Sequence, residues 1–112
     1  MFSSLDGVKL EDVADVNKSR AKKFKIGGTF PNTSSNYKNL LEKSEVDAVS
    51  ICLPVDLHSE VSIEASENGK HILCEKPMTG SLEKADEMIE TARKKQVRLM
   101  IAENVFYHPV IR

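Results

Sequence analysis

The chain has 112 residues, 40% apolar and 29% charged, and its sixteen basic and seventeen acidic side chains leave a net charge of -1. That length holds one small domain around a single core, and the balanced charge excludes the strongly basic surface that polyanion binding requires, so no nucleic-acid partner is expected. The apolar run over Val97–Ile101 is broken by Arg98, far short of the roughly 20 residues of a membrane span, and Met1–Asp6 shows no basic segment followed by an apolar one, so a cytoplasmic protein without a membrane partner is expected.

In chain order, Val8–Val16 reads as a strand through Val8, Leu10, Val13, Ala14 and Val16, with Glu11 and Asp12 interrupting the pattern. Asn17 suits the cap of a helix whose inner face carries Ala21 and Phe24 and which ends by Gly27-Gly28. Thr29–Ser35, with Pro31, Asn32 and four hydroxyl residues, has loop chemistry. Tyr37, Leu40 and Leu41 then give a short helix one apolar side. Val46–Leu53 is almost continuously apolar up to Pro54, the pattern of a strand covered on both faces. Asp56 suits a helix cap, Val61 and Ala65 share a face, and Asn68-Gly69 supplies the stop. His71–Cys74 is a short strand ending in Glu75-Lys76-Pro77. Ser81 caps a helix with a stripe of Leu82, Ala85, Met88, Ile89 and Ala92, and Val97–Ala102 is a further strand.

Strands alternating with helices through short connections imply parallel pairing by right-handed crossovers, hence an α/β fold with helices on both faces of the sheet. Cys52 and Cys74 stand in apolar segments, not in a C-x-x-C pair, and are expected to be reduced, buried, small hydrophobes. His58, His71 and His108 have no metal-ligand spacing, so no metal site is expected.

In open parallel sheets ligands bind beyond the carboxyl ends of the strands. The polar residues at those positions are Asp15, then Pro54 with His58, then Glu75-Lys76-Pro77, then Glu103-Asn104. Val46–Pro54, Leu57-His58 and Gly69–Pro77 together resemble the N-terminal domain of the Gfo/Idh/MocA oxidoreductases, the family of glucose-fructose oxidoreductase and inositol dehydrogenase. The likeness runs from about Val8 to the end of the chain.

The resemblance implies a Rossmann-type sheet that binds NAD, with NADP possible. It implies that Asp15 meets the adenosine ribose hydroxyls, and that Pro54 turns the chain beneath the cofactor with His58 nearby. Glu75 and Lys76 match the signature pair, in which Lys76 is the catalytic residue beside the nicotinamide and the substrate hydroxyl. Pro77 locks that turn and can follow a cis bond, and Asn104 leads toward a second domain. Phe106 stands where an arginine is frequent in the family. The implied reaction moves a hydride between the cofactor and a carbinol or ketone carbon of a sugar, inositol or related polyol, in a homo-oligomer.

Only five glycines are present and none forms G-x-G-x-x-G after a strand. Residues 1–112 are therefore expected to be a partial dinucleotide-binding domain, an incomplete Rossmann-type sheet without its first strand and glycine-rich turn. The substrate domain would be absent too, and the chain alone inactive. A non-enzymatic nucleotide-binding or interaction module descended from such an enzyme is the alternative. In the strand order 3-2-1-4-5-6 the absent strand falls between Val8–Val16 and Val46–Leu53, so those two are expected to pair directly or to drive self-association.

Overall fold

A computed structural model describes residues 5–26, 32–43 and 45–103, which divide into two compact units, one up to Val46 and one from Asp47. In the first unit β1 (Asp12–Ala14) pairs in parallel with β2 (Asn32–Ser34), Val13 opposite Thr33, and α1 (Lys18–Ile26) connects them. The segment expected to be a loop thus contains a strand. Pairing with β1 supplies the main-chain partners that override the local turn preference of Asn32 and its hydroxyl neighbours. The first strand is also shorter than its apolar pattern, and Val16 beyond it is exposed.

The acidic interruptions in that pattern are explained by ion pairs. The Asp12 carboxylate is buried against the Lys43 ammonium and holds it above the usual lysine range, while Glu11 pairs with Lys9. The short helix α2 (Tyr37–Leu41) begins at Asn36, whose side chain accepts from the Lys38 amide at 3.0 Å. Ala21, Leu41 and Val46 are buried in this unit.

The second unit runs β3 (Ala48–Ile51), α3 (Val55–Glu67), β4 (His71–Glu75), α4 (Leu82–Lys94) and β5 (Leu99–Ala102), with the strands parallel in the order β3-β4-β5. Val49, Ile72 and Leu99 align across the sheet, as do Ile51, Cys74 and Ile101. Successive crossovers in the same direction put both helices on one face. Ile51, Ile72 and Cys74 are buried there with Val61, Ser62, Ala65 and Ser66 of α3 and Met88 and Ala92 of α4. The small residues of α3 permit a close approach of α4. On the opposite face Ala48, Ser50 and Met100 are exposed, so within this unit the sheet is covered on one side.

Both helices end in the same hydrogen-bonded pattern. After α3 the Gly69 and Lys70 amides donate to Ser66 and Ala65, with Gly69 at φ 73; after α4 the Gln96 and Val97 amides donate to Arg93 and Ala92, with Gln96 at φ 56. At its start α3 differs from the sequence expectation. Pro54 is the cap residue, and Asp56 lies inside the first turn, where its charge favours the helix dipole. Ser81 caps α4 as expected, accepting from the Lys84 amide. Direct pairing of the two strands on either side of the expected vacancy is not found: β1 and β3 belong to different sheets. With only three ladder residues in β1, such a pairing would add few hydrogen bonds.

Candidate functional site

The carboxyl ends of β3 and β4 are neighbours, since Ile51 is opposite Cys74, so the chain leaves both strands into adjacent loops. His58, on the first turn of α3, fills the space between them. It is only 1% exposed; its Nδ1 lies 2.8 Å from the Pro77 carbonyl oxygen and its Nε2 2.7 Å from that of Leu53. One ring therefore brings together four of the residues singled out in the sequence: Pro54, which directly succeeds Leu53, and Glu75, Lys76 and Pro77. His58 itself has both ring nitrogens at hydrogen-bond distance from main-chain carbonyls.

Glu75 closes β4, and Glu75, Lys76 and Pro77 are all exposed. The Lys76–Pro77 peptide is cis. Lys76 has no ion-pair partner among the described residues, so its ammonium is available to a ligand. A shallow groove next to this loop is lined by Val55 and Asp56 at the start of α3 and by Thr79, Gly80, Ser81 and Lys84 at the start of α4.

Asp15 lies in the other unit, directly after β1. Its Oδ1 accepts from the Asn17 amide at 2.8 Å and its Oδ2 lies 3.0 Å from Arg20 Nε. Arg20 is the polar residue that sequence reasoning missed. The signal was its place on the first turn of α1, whose cap Asn17 accepts from the Arg20 amide at 3.1 Å. Asn104 lies outside the described residues.

Of the two cysteines, Cys74 is buried, and burial pushes its thiol up from the ordinary range, whereas Cys52 is exposed, contrary to the expectation that both are buried. Cys52 comes directly after Ile51, beyond the Ile51–Cys74 pair, so strand alternation turns it away from the face that buries those two residues. No group of His, Cys, Asp and Glu able to hold a metal occurs among the described residues, and no helix among them is long and apolar enough to cross a membrane.

Within the first unit, a carboxylate with a guanidinium at a strand end can accept from and donate to hydroxyl groups, and within the second, an ammonium without an ion-pair partner among the described residues can donate to an oxygen. A G-x-G-x-x-G turn for the pyrophosphate is not among the 112 residues.

Comparison with known proteins identifies the family. Residues 1–103 match the model of an oxidoreductase family described as having an NAD-binding Rossmann fold. An uncharacterized oxidoreductase of Bacillus subtilis, YrbE, is 33% identical over 108 residues, 96% of this chain and 32% of its own length. Levoglucosan dehydrogenase of Pseudarthrobacter phenanthrenivorans is 30% identical over 99 residues, covering 88% of this chain and 25% of the relative. Among solved structures, KijD10, a 3-ketoreductase from Actinomadura kijaniata in complex with NADP and TDP-benzene, superposes with a TM-score of 0.89 at 31% identity, over 96% of this chain and 33% of that one. The chain thus spans a third or less of the length of these relatives. With its parallel strands, its strand-end residues and this match in hand, the chain belongs to the Gfo/Idh/MocA family of NAD-binding Rossmann-fold oxidoreductases.

Proposed function

We propose that this chain is the cofactor-binding part of an NAD(P)-dependent oxidoreductase acting on a carbinol or ketone carbon of a sugar, inositol or related polyol. The observation that carries the reading is the exposed Lys76 ammonium at the end of β4, without an ion-pair partner among the described residues, in a loop joined through His58 to the end of β3. When bound, the nicotinamide supplies the hydride acceptor or donor. Lys76 orients the substrate hydroxyl through its N–H donors and stabilises the negative charge that grows on that oxygen as the C–H bond breaks. Among the relatives, a levoglucosan dehydrogenase and a 3-ketoreductase support a sugar-like substrate.

Asp15 accepts hydrogen bonds from the adenosine ribose and disfavours a 2'-phosphate, while Arg20 offsets that repulsion and provides donors for the phosphate. NAD is therefore the proposed cofactor, with NADP accepted. A homo-oligomer is proposed for the complete enzyme. Sedimentation in dilute buffer checks it.

Two measurements test the reading. The chain alone is expected to show no saturation with NAD at millimolar concentration by calorimetry, because it has no glycine-rich turn to bind the pyrophosphate. Micromolar affinity would favour a self-sufficient nucleotide-binding module. In a polypeptide that joins this chain to a glycine-rich first βα unit and a second domain, a panel of sugars, inositols and polyols should reduce NAD. Absence of reduction with every member, alongside turnover of a substrate without a carbinol or ketone carbon, would overturn the proposal.

A further inference from the structure

We infer that His58 is the positioning residue for Lys76, acting as a tether whose ring ties the Pro77 carbonyl to the Leu53 carbonyl and so fixes the loop that carries the ammonium. The inference rests on the reading of Lys76 as the cation that meets the substrate oxygen. Three observations converge on it. The ring is almost fully buried, although it stands on the first turn of a helix whose neighbours Val55, Asp56 and Leu57 are exposed. Both of its nitrogens are at hydrogen-bond distance from main-chain carbonyls, 2.8 Å and 2.7 Å, and those carbonyls belong to different loops, one after β3 and one after β4. The bonded carbonyl of Pro77 is one residue beyond Lys76.

The chemistry of the ring explains the choice of histidine. The rigid ring sets its two nitrogens on opposite sides, each at hydrogen-bond distance from a different main-chain carbonyl, with no rotatable bond between them. Serine, threonine and tyrosine bring a single donor, and a lysine or arginine of that reach would add rotatable bonds where the ring has none. Leu53 is itself anchored by its neighbour Pro54, which caps α3 and whose carbonyl accepts from the Leu57 amide at 3.0 Å. The tether therefore runs from a helix start to an exposed loop whose functional side chain, Lys76, has no ion pair among the described residues to fix it. Removing the tether should loosen Lys76 without unravelling β4, which is held by β3 and β5 on either side.

The test uses the complete 112-residue chain, labelled for NMR relaxation, with His58→Phe and His58→Gln. Phenylalanine fills the space of the ring and removes both ring nitrogens; glutamine keeps a donor for one carbonyl. In the wild type the Lys76 and Met78 amides should show rigid-backbone order parameters near about 0.85, and in His58→Phe they should fall below about 0.6, with Ile72, Leu73 and Cys74 unchanged. His58→Gln should lie between, a partial rescue that packing alone would not produce. It also provides the reading if His58→Phe does not fold. Lys76 and Met78 as rigid in either variant as in the wild type would overturn the inference. Because the measurement needs no cofactor, it fails or succeeds independently of the role of Lys76, which is refuted separately if Lys76→Ala leaves turnover of the completed enzyme unchanged.

Discussion

Replacing Met88 with alanine should unfold the second unit far more easily than replacing Leu82 with alanine, although both belong to the same apolar stripe of α4. Met88 is 1% exposed and packs where α4 meets α3, while Leu82 is 88% exposed. Truncating a buried methionine to alanine costs about 2–5 kcal/mol through lost transfer energy and the cavity left behind. Alanine's higher helix propensity offsets a few tenths of that. The residues buried on α3, which packs on α4, are mostly small, Ser62, Ala65 and Ser66, which places the loss near the middle of the range, about 3 kcal/mol. For a protein of this size, a urea dependence of about 1–3 kcal/mol per molar converts that to a midpoint lowered by roughly 1–3 M. Leu82→Ala should change stability by less than about 0.5 kcal/mol, and Ile89→Ala, at 42% exposure, should fall between the two. Urea titrations followed by far-ultraviolet circular dichroism make the comparison. A Leu82→Ala midpoint depressed as far as that of Met88→Ala would refute the packing of α4 on α3.

The remaining predictions concern a cap, two thiols and the adenosine end. Gln96 holds a left-handed conformation at the end of α4 and is exposed, so Gln96→Gly should raise stability by about 1 kcal/mol in the same titrations. A thiol reagent at mildly alkaline pH should modify Cys52 quickly and Cys74 slowly in the folded chain, and both quickly in denaturant. Because burial raises the Cys74 thiol, its reactive thiolate is scarcer below the raised value, and its modification should speed up only at a pH above the ordinary thiol range. In a completed enzyme Asp15→Ala should weaken NAD and narrow its advantage over NADP, and Arg20→Met should weaken NADP selectively; steady-state KM values for the two cofactors check both.

Much of this architecture is written locally. Ser81, Asn36 and Asn68-Gly69 mark helix ends through side-chain and main-chain hydrogen bonds within a few residues, and the ends at Ser81 and Asn68-Gly69 are where the sequence puts them. The strand β2 is not legible in that way, because Asn32, Thr33 and Ser34 favour turns and become a strand only through pairing with β1, about twenty residues earlier. Burial along α4 shows the same limit. Helical spacing places Leu82 and Met88 in one stripe, and only the placement of α3 separates the buried one from the exposed one. At the candidate site, strand-end position and family resemblance single out Lys76 and Pro54. The orientation of His58 between two carbonyls depends on side-chain directions that no spacing encodes, whereas the place of Arg20 on the first turn of α1 already brings it near Asp15.

The most direct test of the proposed role of this chain is Lys76→Ala in an enzyme that joins it to a glycine-rich first βα unit and a second domain. The charge that Lys76 is proposed to meet develops only during reaction, so kcat for polyol oxidation should fall by about 10² or more while NAD affinity, measured by calorimetry, stays close to that of the parent. Turnover equal to that of the parent would show that Lys76 is a surface residue of the turn, and the proposed site at the end of β4 would then be wrong.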